Sequence, residues 1–309
     1  MSDAFHLAGL AGLGTAPLGS GPGWQVNWGH NDPTEARAVI RTAVDCGVGW
    51  IDTAPAYGWG RAEAVVGSAL RDLDRRPMLL TKCGTIPRQG RGCADHSASV
   101  IRSDLDASLT RLGCESVDVL QVHDPDPAVP IESAWETVCE LIAGGKARAA
   151  GLSNHPVALM NRAKAIGPVS VVQHQYSLLH RVPEVDGVIE WCAVNGAVFL
   201  AWSPLASGFL ADGFDLAALE PDDFRRRKPF ADSSRLDLVR LRDNLASLAA
   251  QAGMSMTALA IGWVLAKGAR AIVGARSPSE AEAIAGYEPL DSDLVASAEH
   301  IVGCAWKTA

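Results

Sequence analysis

Eight short runs of apolar residues recur along the chain, and amphipathic segments separate each run from the next. A strand that is buried on both faces forms a continuous apolar run, and strands that alternate with helices indicate parallel βαβ units. The intervening segments carry helix signals: residues 33–47 have Pro33 near their start and Gly47 just past their last apolar position. Eight such units predict an α/β protein with a closed (β/α)8 (TIM) barrel. The predicted strands are residues 10–15, 48–52, 78–82, 117–123, 147–154, 169–175, 197–203 and 271–276.

The alternation continues without a boundary at which a second domain would begin. The chain has 309 residues, a length that could hold two domains but that α/β barrels often fill as one. No shift in composition, low-complexity segment or linker rich in Pro and Ser interrupts the pattern. We therefore expect residues 1–309 to form a single barrel domain.

Charge and composition argue against several functional classes. The formal net charge is −8, which disfavours binding to nucleic acid by bulk electrostatics. No apolar run approaches the ~18 residues that a membrane span needs, and the first ten residues lack the pattern of a signal peptide. We expect a cytoplasmic protein that binds neither nucleic acid nor membranes. Reduced thiols, rather than disulfides or a metal site, are expected for seven scattered cysteines without a C-x-x-C pair: Cys46, Cys83, Cys93, Cys114, Cys139, Cys192 and Cys304.

Each apolar run ends in a residue whose side chain can take part in chemistry. The C-terminal ends of the strands of a (β/α)8 barrel meet at one mouth, which holds the active site. Some of these polar residues could simply cap the helix that follows. Capping does not explain an acid, a phenol, an ammonium and an imidazole on three successive connections. The run-end residues are Thr15, Asp52 with Tyr57 five positions later, Lys82, His123, Ser153, Asn154, Gln173, Ser203 and Arg276.

Seven segments, in the same order along nearly the whole chain, resemble motifs of the aldo-keto reductase superfamily. The region "SPLASGFL...DDFRRRKPF" is most similar to the bacterial branch that acts on sugars and small aldehydes or ketones. The resemblance implies a barrel oxidoreductase that uses NAD(P)H to reduce the carbonyl of such a compound. The seven segments are "GWIDTAPAYGWGRAEAVVG", "LLTKCG", "LQVHDPDP", "AAGLSN", "VVQHQYSLL", "AWSPLASGFL" and "IVGARSP".

Four of the run-end residues suit the reduction of a carbonyl group, which needs a proton donor for its oxygen. Tyr57 can be that acid, although a free phenol has a pKa of about 10. We expect the Lys82 ammonium to lower this pKa, and the Asp52 carboxylate to supply the counter-charge that holds Lys82 in place. His123 can hydrogen-bond the substrate oxygen or share in proton transfer.

The cofactor residues are implied by the resemblance. Ser153, Asn154 and Gln173 would bind the nicotinamide carboxamide, and Trp202 would stack on its ring with a large, flat, rigid face. The glycine-rich N-terminal segment that includes Thr15 would approach the nicotinamide ribose. The remaining matches are the loop over the pyrophosphate (Ser203, Leu205 and Ser207) and the segment at the adenosine 2′-phosphate (Gly274, Ala275, Arg276, Ser277 and Glu280).

The same segment bears on the choice between NADPH and NADH. The Arg276 guanidinium favours NADPH because it would pair with a 2′-phosphate. Glu280 stands where the family usually has Gln or Arg, and its carboxylate would repel that phosphate if it pointed inward. Ile284 replaces an Asn that usually contacts adenine. We expect NADPH, with NADH as the alternative.

A Rossmann dinucleotide domain is the competing interpretation of the N-terminal segment "GLAGLGTAPLGSGPG". This segment lacks a G-x-G-x-x-G motif that leads into a helix, and Pro17 and Pro22 interrupt it. Asp52 lies too far along the chain to be the acidic residue of that fold. We therefore reject a Rossmann domain.

The two longest predicted loops, residues 83–97 and 206–235, are expected to bind the substrate. In the first, Arg88 and Arg91 either meet an anionic or polyhydroxy substrate or are simply solvated. In the second, the basic run 225–228 either clasps the cofactor phosphates or is a solvated turn that answers Asp222 and Asp223. Three loop tryptophans could form the wall of an apolar or sugar-stacking pocket: Trp24, Trp28 and Trp59.

Two other functions remain open at this stage. An NAD-dependent sugar (aldose) dehydrogenase would run the reaction in reverse, and Glu280 makes this plausible. A nucleotide-sensing binding protein with little turnover would retain the fold and even the set Asp52, Tyr57, Lys82 and His123. In each case we expect a monomer or a weak homo-oligomer whose ligands are small molecules.

Overall fold

Eight strands close into a parallel barrel, which confirms the predicted fold. The computed structural model describes residues 5–232 and 234–306. The barrel strands are β1 (Ala11–Gly14), β2 (Trp50–Asp52), β3 (Met78–Cys83), β6 (Val117–Val122), β7 (Ala147–Ser153), β8 (Val171–Gln175), β9 (Val198–Trp202) and β10 (Arg270–Gly274), and a separate hairpin contains β4 (Thr85–Arg88) and β5 (Arg91–Ala94). The order around the barrel is β1-β10-β9-β8-β7-β6-β3-β2, with β1 hydrogen-bonded to β2.

Most helices lie between consecutive strands, the last two follow the final strand, and together they cover the barrel. The first of them begins as the sequence predicts: the Asp32 carboxylate accepts hydrogen bonds from the N–H groups of Thr34 and Glu35, and Pro33 follows it. The helices are α1 (Pro33–Asp45), α2 (Arg61–Leu70), α3 (Ala98–Leu112), α4 (Ile131–Ala143), α5 (Val157–Ile166), α6 (Val182–Val185), α7 (Val188–Asn195), α8 (Leu236–Gln251), α9 (Met256–Ala266), α10 (Pro278–Glu282) and α11 (Ser292–Trp306).

The interior of the barrel is built in two layers. Side chains of a strand alternate between its faces, so residues two positions apart point into the barrel together. The lower layer is apolar: Leu7, Trp50, Leu80, Val119, Ala149, Val171, Leu200 and Ile272. Two positions further along four of these strands come Asp52, Lys82, Gln121 and Gln173, all buried. The polar layer therefore rests directly on an apolar floor.

Two glycines make room for large side chains inside the barrel. A Cβ atom at Gly12 would lie 2.2 Å from the indole of Trp50. A Cβ atom at Gly151 would lie 2.9 Å from Cγ of Gln121. Because interiors are close-packed, these residues must lack a side chain if Trp50 and Gln121 are to occupy the barrel.

Part of the loop predicted for residues 83–97 is an antiparallel hairpin. Strands β4 and β5 pair from Thr85 with Ala94 to Arg88 with Arg91. Gln89 and Gly90 form the turn with φ angles of 50° and 76°, the left-handed values of a tight hairpin. The prediction missed the hairpin because its strands are short, contain Pro87 and have no long apolar run.

Two loops fold together over the mouth. We call residues 20–31 the first mouth loop and residues 206–232 the second mouth loop. Asn27 Nδ2 donates to Asp222 Oδ2 at 2.7 Å, and the Asn27 carbonyl accepts from the N–H of Phe224 at 2.8 Å. The rings of Trp28 and Phe224 meet edge to face, with centroids 4.8 Å apart. The two loops thus form one continuous wall.

Three further observations concern membrane spans, metal sites and cysteines in the described residues. Among them, no single helix is long and apolar enough to cross a bilayer; α8 and α9 meet that test only together, as a pair bent by 88°. Within the same ranges, no cluster of three or more His, Cys, Asp or Glu side chains could hold a metal ion. The six cysteines described there are free thiols, and the Cys304 side chain lies outside the description.

Candidate active site

A buried ion pair lies at the centre of the mouth. Lys82 Nζ is 2.6 Å from Asp52 Oδ1, and the two side chains are 0% and 1% exposed. The same ammonium donates to the Thr53 carbonyl at 3.1 Å and to the Tyr57 hydroxyl at 3.0 Å. All three N–H donors of the ammonium are therefore used, and one of them reaches the phenol oxygen.

The second oxygen of Asp52 is held by two amides. Gln173 Nε2 donates to Asp52 Oδ2 at 2.9 Å, and Gln121 Nε2 donates to the same oxygen at 3.2 Å. Gln173 also donates to Gln121 Oε1 at 3.1 Å, and Thr15 Oγ1 donates to the Asp52 main-chain carbonyl at 3.0 Å. Gln121 was not predicted as a site residue. Its signal is its position two residues after the inward-facing Val119.

The turn that carries Tyr57 depends on a glycine. Gly58 has a φ of 60°, and a Cβ atom there would lie 1.9 Å from the Gly19 carbonyl oxygen. This left-handed residue lets the chain reverse against the loop after β1. The Tyr57 N–H donates to the Ala54 carbonyl at 3.1 Å, which closes the turn and keeps the phenol above Lys82.

Burial and charge set the ionisation of the pair. Burial disfavours the charged form of Lys82, but the Asp52 carboxylate and the Tyr57 phenol outweigh it and raise the pKa of the ammonium. Burial raises the pKa of the Tyr57 phenol above its usual value, and the Lys82 charge opposes this rise without cancelling it. The expected lowering of the Tyr57 pKa is thus absent, because desolvation is the larger effect. At neutral pH the site holds an ammonium and a protonated phenol.

His123 packs against the phenol ring. Its ring packs edge to face against that of Tyr57, with centroids 5.8 Å apart. Burial lowers the pKa of His123 to about 4, so the imidazole is neutral at pH 7. Its Nδ1 atom is buried and has no hydrogen-bond partner among the described residues. The ring can therefore still hydrogen-bond a molecule that enters the mouth.

The residues expected at the nicotinamide lie at the ends of β7, β8 and β9. Ser153 Oγ is buried and has no partner among the described residues. Asn154, with a φ of 61°, donates through Nδ2 to Asp124 Oδ1 at 2.7 Å and accepts from Trp202 Nε1 at 3.0 Å. Within the protein, the Asn154 amide thus orients Trp202, just as the Gln173 amide supports Asp52.

The backbone is strained where β9 leads into the second mouth loop. Ser203, Ala206 and Ser207 have φ angles of 57°, 49° and 61°, values that are uncommon for residues with a side chain. Ser203 Oγ accepts from the N–H of Ser207 at 2.8 Å, and the half-buried Leu205 packs against the core. Strained residues of this kind cluster at functional sites, and turns that present successive N–H groups make concave sites for anions.

The residues expected at the adenosine phosphate follow β10. Gly274 and Arg276 are exposed, and one amino group of Arg276 donates to the His30 carbonyl at 2.9 Å. Glu280 Oε2 accepts from the main-chain N–H of Arg276 at 2.7 Å, and Ser277 Oγ accepts from that of Glu280 at 3.3 Å. Ile284 is fully buried in the core. The Glu280 carboxylate is thus occupied by the backbone of its own turn.

The basic run of the second mouth loop is used mainly within the protein. Arg225 forms an ion pair with Asp223 at 2.6 Å and lies 5.1 Å above the ring of Trp28. Arg227 donates to the Gln25 carbonyl at 2.8 Å. These contacts fasten the second mouth loop to the first. Asp223 does pair with the basic run, as the interpretation of a solvated turn expects, but the pair is buried and not solvated.

Fold and site together define a class of protein. The chain is a (β/α)8 barrel whose mouth aims a protonated phenol, backed by a buried ammonium, beside a neutral imidazole and an unsatisfied serine hydroxyl. The model of the aldo/keto reductase family matches residues 12–302. The chain belongs to this family, whose members are oxidoreductases that use nicotinamide cofactors on small carbonyl compounds.

Individual relatives agree with this assignment. Aldo-keto reductase YhdN from Bacillus subtilis (strain 168) is 34% identical over 293 residues, which cover 92% of this chain and 86% of the relative. The NADH-specific methylglyoxal reductase of Escherichia coli (strain K12) is 32% identical over 269 residues, 82% of this chain and 81% of that protein. The solved structure of glycerol dehydrogenase AKR11B4 from Gluconobacter oxydans has a TM-score of 0.86 at 29% identity, with 96% and 92% coverage. The chain thus falls in the bacterial branch of the family.

Proposed function

We propose that this protein reduces the carbonyl of a small aldehyde, ketone or sugar, with Tyr57 as the proton donor. One observation carries the proposal: the Tyr57 hydroxyl lies 3.0 Å from the Lys82 ammonium, which Asp52 holds at 2.6 Å in a buried pair. The nicotinamide cofactor supplies a hydride to the carbonyl carbon when it is bound. The oxygen then gains negative charge and needs a proton from the protein.

The site can deliver that proton from a resting phenol. Burial raises the pKa of Tyr57, so the hydroxyl keeps its proton until a reacting carbonyl oxygen takes it. The Lys82 ammonium stabilises the phenolate that remains, because it already donates a hydrogen bond to that oxygen. Asp52 and the two amides that bind it keep the ammonium fixed, so no reorganisation is needed during proton transfer.

His123 orients the carbonyl in this proposal. Its imidazole is neutral, because burial lowers its pKa to about 4. A neutral ring offers one N–H donor, which can hydrogen-bond the substrate oxygen without placing a second positive charge beside Lys82. Tyr57 and His123 would therefore hold the oxygen from two sides.

The described residues fit a nicotinamide cofactor on the β7–β10 side of the mouth. The unsatisfied Ser153 hydroxyl suits a carboxamide, Trp202 offers a flat face that Asn154 holds in position, and the strained turn of Ser203 and Ser207 suits a pyrophosphate. Because their amides already bind the protein, we assign Asn154 and Gln173 to orienting Trp202 and Asp52. Thr15 has the same supporting part, through the Asp52 carbonyl.

NADPH is the proposed cofactor, with NADH as the alternative. Arg276 supports NADPH because its exposed guanidinium can pair with a phosphate. The Glu280 carboxylate is occupied by the Arg276 N–H, which weakens its expected repulsion of a 2′-phosphate. NADH remains an alternative because one relative is named as NADH-specific. Fluorescence titration with both reduced cofactors measures the preference.

The test of the proposal removes one hydroxyl. Tyr57→Phe should lower kcat on every accepted aldehyde or ketone by about 100-fold or more, the usual contribution of a positioned acid, with little change in cofactor affinity. Tyr287→Phe is the matched control, because it removes the same hydroxyl from a half-buried tyrosine after α10 that is not part of the Asp52, Lys82 and His123 cluster. Undiminished turnover in Tyr57→Phe would refute the assignment of the acid.

The same site could also run in the oxidative direction, as an NAD-dependent sugar (aldose) dehydrogenase. The specific support is the glycerol dehydrogenase among its structural neighbours. Tyr57 would then accept the proton that it otherwise donates. Assays in both directions, on aldehydes and on sugars or polyols, separate the two. Tight nucleotide binding without turnover in either direction would favour a nucleotide-sensing protein.

A further inference from the structure

A cavity of about 540 Å³ opens at the mouth loops. Its walls come from the first mouth loop, the tip of the β4–β5 hairpin and the second mouth loop. The ring of Trp24, which lines it, lies 6.3 Å from that of Tyr57, centroid to centroid. Trp24 thus belongs both to the wall of the cavity and to the surroundings of the phenol. The lining residues used below are Trp24, Arg91, Asp222, Phe224 and Arg227.

The hairpin places two like charges opposite each other. Arg88 and Arg91 are paired in the register of β4 and β5, so both guanidinium groups project from the same face at the hairpin tip. Like charges in that position destabilise a hairpin. Arg88 has a partner in Asp95, 3.5 Å away, whereas Arg91 has no carboxylate within 4.0 Å among the described residues. A destabilising pair of like charges that the protein does not compensate is typical of a functional site.

A third guanidinium, that of Arg227, lines the same cavity as Arg91. Arg227 is exposed, and its hydrogen bond to the Gln25 carbonyl leaves most of its N–H donors free. One carboxylate, Asp222, also lines the cavity, and Asn27 donates to it at 2.7 Å. Two guanidinium groups against one carboxylate make this wall positive, in a chain whose net charge is −8. A positive wall on a negatively charged protein raises the local concentration of anions at the mouth.

We propose that the substrate is a small carbonyl compound that carries a carboxylate or a phosphate, which Arg91 and Arg227 bind. This inference rests on the proposed function and adds the class of substrate. A guanidinium matches the geometry of both oxyanions, and Trp24 and Phe224 cover the carbon chain between the anion and the carbonyl. In this proposal the carbonyl points toward Tyr57, along the ring of Trp24.

The first experiment compares carbonyl compounds with and without an anionic group on the same carbon chain. The pairs are 4-oxobutanoate with butanal, and glyceraldehyde 3-phosphate with glyceraldehyde. We expect kcat/KM to favour the anionic member by about tenfold or more, the effect of one charge-assisted hydrogen bond. The pair with the larger ratio identifies carboxylate or phosphate as the preferred group. Added NaCl should reduce the ratio, because salt screens an exposed ion pair.

The second experiment removes the guanidinium groups. In Arg91→Gln and Arg227→Gln the ratio of kcat/KM between anionic and neutral members should fall about tenfold. The control is Arg148→Gln, which makes the same change of charge at the opposite end of the barrel, where Arg148 is the second residue of β7 and pairs with Asp118. It should keep the ratio of the unmodified protein.

Binding is measured separately from turnover. In calorimetry with the protein saturated with oxidised cofactor, 4-oxobutanoate or glyceraldehyde 3-phosphate should bind more tightly than its neutral partner. Arg91→Gln should remove that difference. If neutral carbonyls are reduced but the anionic compounds show no advantage in either assay, the inference is wrong and the proposed function stands. If charge-dependent binding occurs without reduction of any carbonyl, the proposed function fails while the anion site stands.

Discussion

The Lys82→Met variant tests how strongly the buried ion pair holds the site. Lys82 and Asp52 are 2.6 Å apart and almost completely buried. Removing one partner of such a pair leaves an uncompensated charge, which typically costs about 3–5 kcal/mol of stability. Methionine is unbranched and flexible, so it should fill most of the space that the lysine stem occupies.

The structure places the expected loss near the lower end of that range. In Lys82→Met the Asp52 carboxylate keeps the amide donors of Gln121 and Gln173, so it is not left wholly without partners. We expect a loss of about 3 kcal/mol in the free energy of unfolding. The double variant Asp52→Asn/Lys82→Met removes the stranded charge, and it should be more stable than Lys82→Met by about 1–2 kcal/mol.

Urea denaturation at pH 7 followed by tryptophan fluorescence measures both changes, since the chain has nine tryptophans. Arg162→Met is the control, because it breaks an ion pair of 2.7 Å whose side chains are 50% and 36% exposed. Exposed pairs contribute little, so this variant should unfold almost like the unmodified protein. A loss below about 1 kcal/mol in the free energy of unfolding of Lys82→Met would refute the conclusion that the pair is desolvated. A double variant no more stable than the single one would refute it as well.

Acid stability and cofactor choice give two further predictions. Burial lowers the pKa of His155 and His174 to about 4, below the ~6.5 of an unfolded chain. The stability that each neutral imidazole contributes is therefore complete above pH 6.5 and is lost as the pH falls toward 4. The loss is on the order of 3 kcal/mol for His155, and urea denaturation from pH 7.5 to 4.5 should show a shallower decline in His155→Gln; equal slopes would contradict this. Arg276→Gln should weaken NADPH binding about 10- to 100-fold and leave NADH binding nearly unchanged in a fluorescence titration. Equal weakening of both cofactors would mean that Arg276 acts through the loops, by way of the His30 carbonyl, rather than on a phosphate.

The sequence predicts the barrel well because its signals are local. A continuous apolar run followed by an amphipathic helix identifies each parallel strand, whatever lies around it. The observed bounds of β1 and β3 differ from the predicted bounds by no more than one residue at each end. The hairpin is the exception, since β4 and β5 hold each other through pairing rather than through a buried apolar face.

The candidate site could be predicted in part for the same reason. Asp52, Lys82 and His123 stand at or just beyond the ends of their strands, so the topology alone brings them to one mouth. Gln121 was missed because the predicted run 117–123 continues past it to His123, so its only signal is its spacing from Val119. Asn154 and Gln173 were placed correctly in the fold, yet their amides turn toward Trp202 and Asp52.

The chain alone thus predicts the eight barrel strands, though not the two strands of the hairpin, and it predicts which reactive side chains gather at the mouth. The period of apolar residues and the ends of the barrel strands are local features of the sequence. What those side chains contact follows only from how the chain packs in three dimensions. Gln173 reaches Asp52 across 121 positions of sequence, and Arg227 reaches Gln25 across 202. Burial likewise raises the pKa of Tyr57, because desolvation depends on everything packed around the phenol and not on its neighbours in the chain.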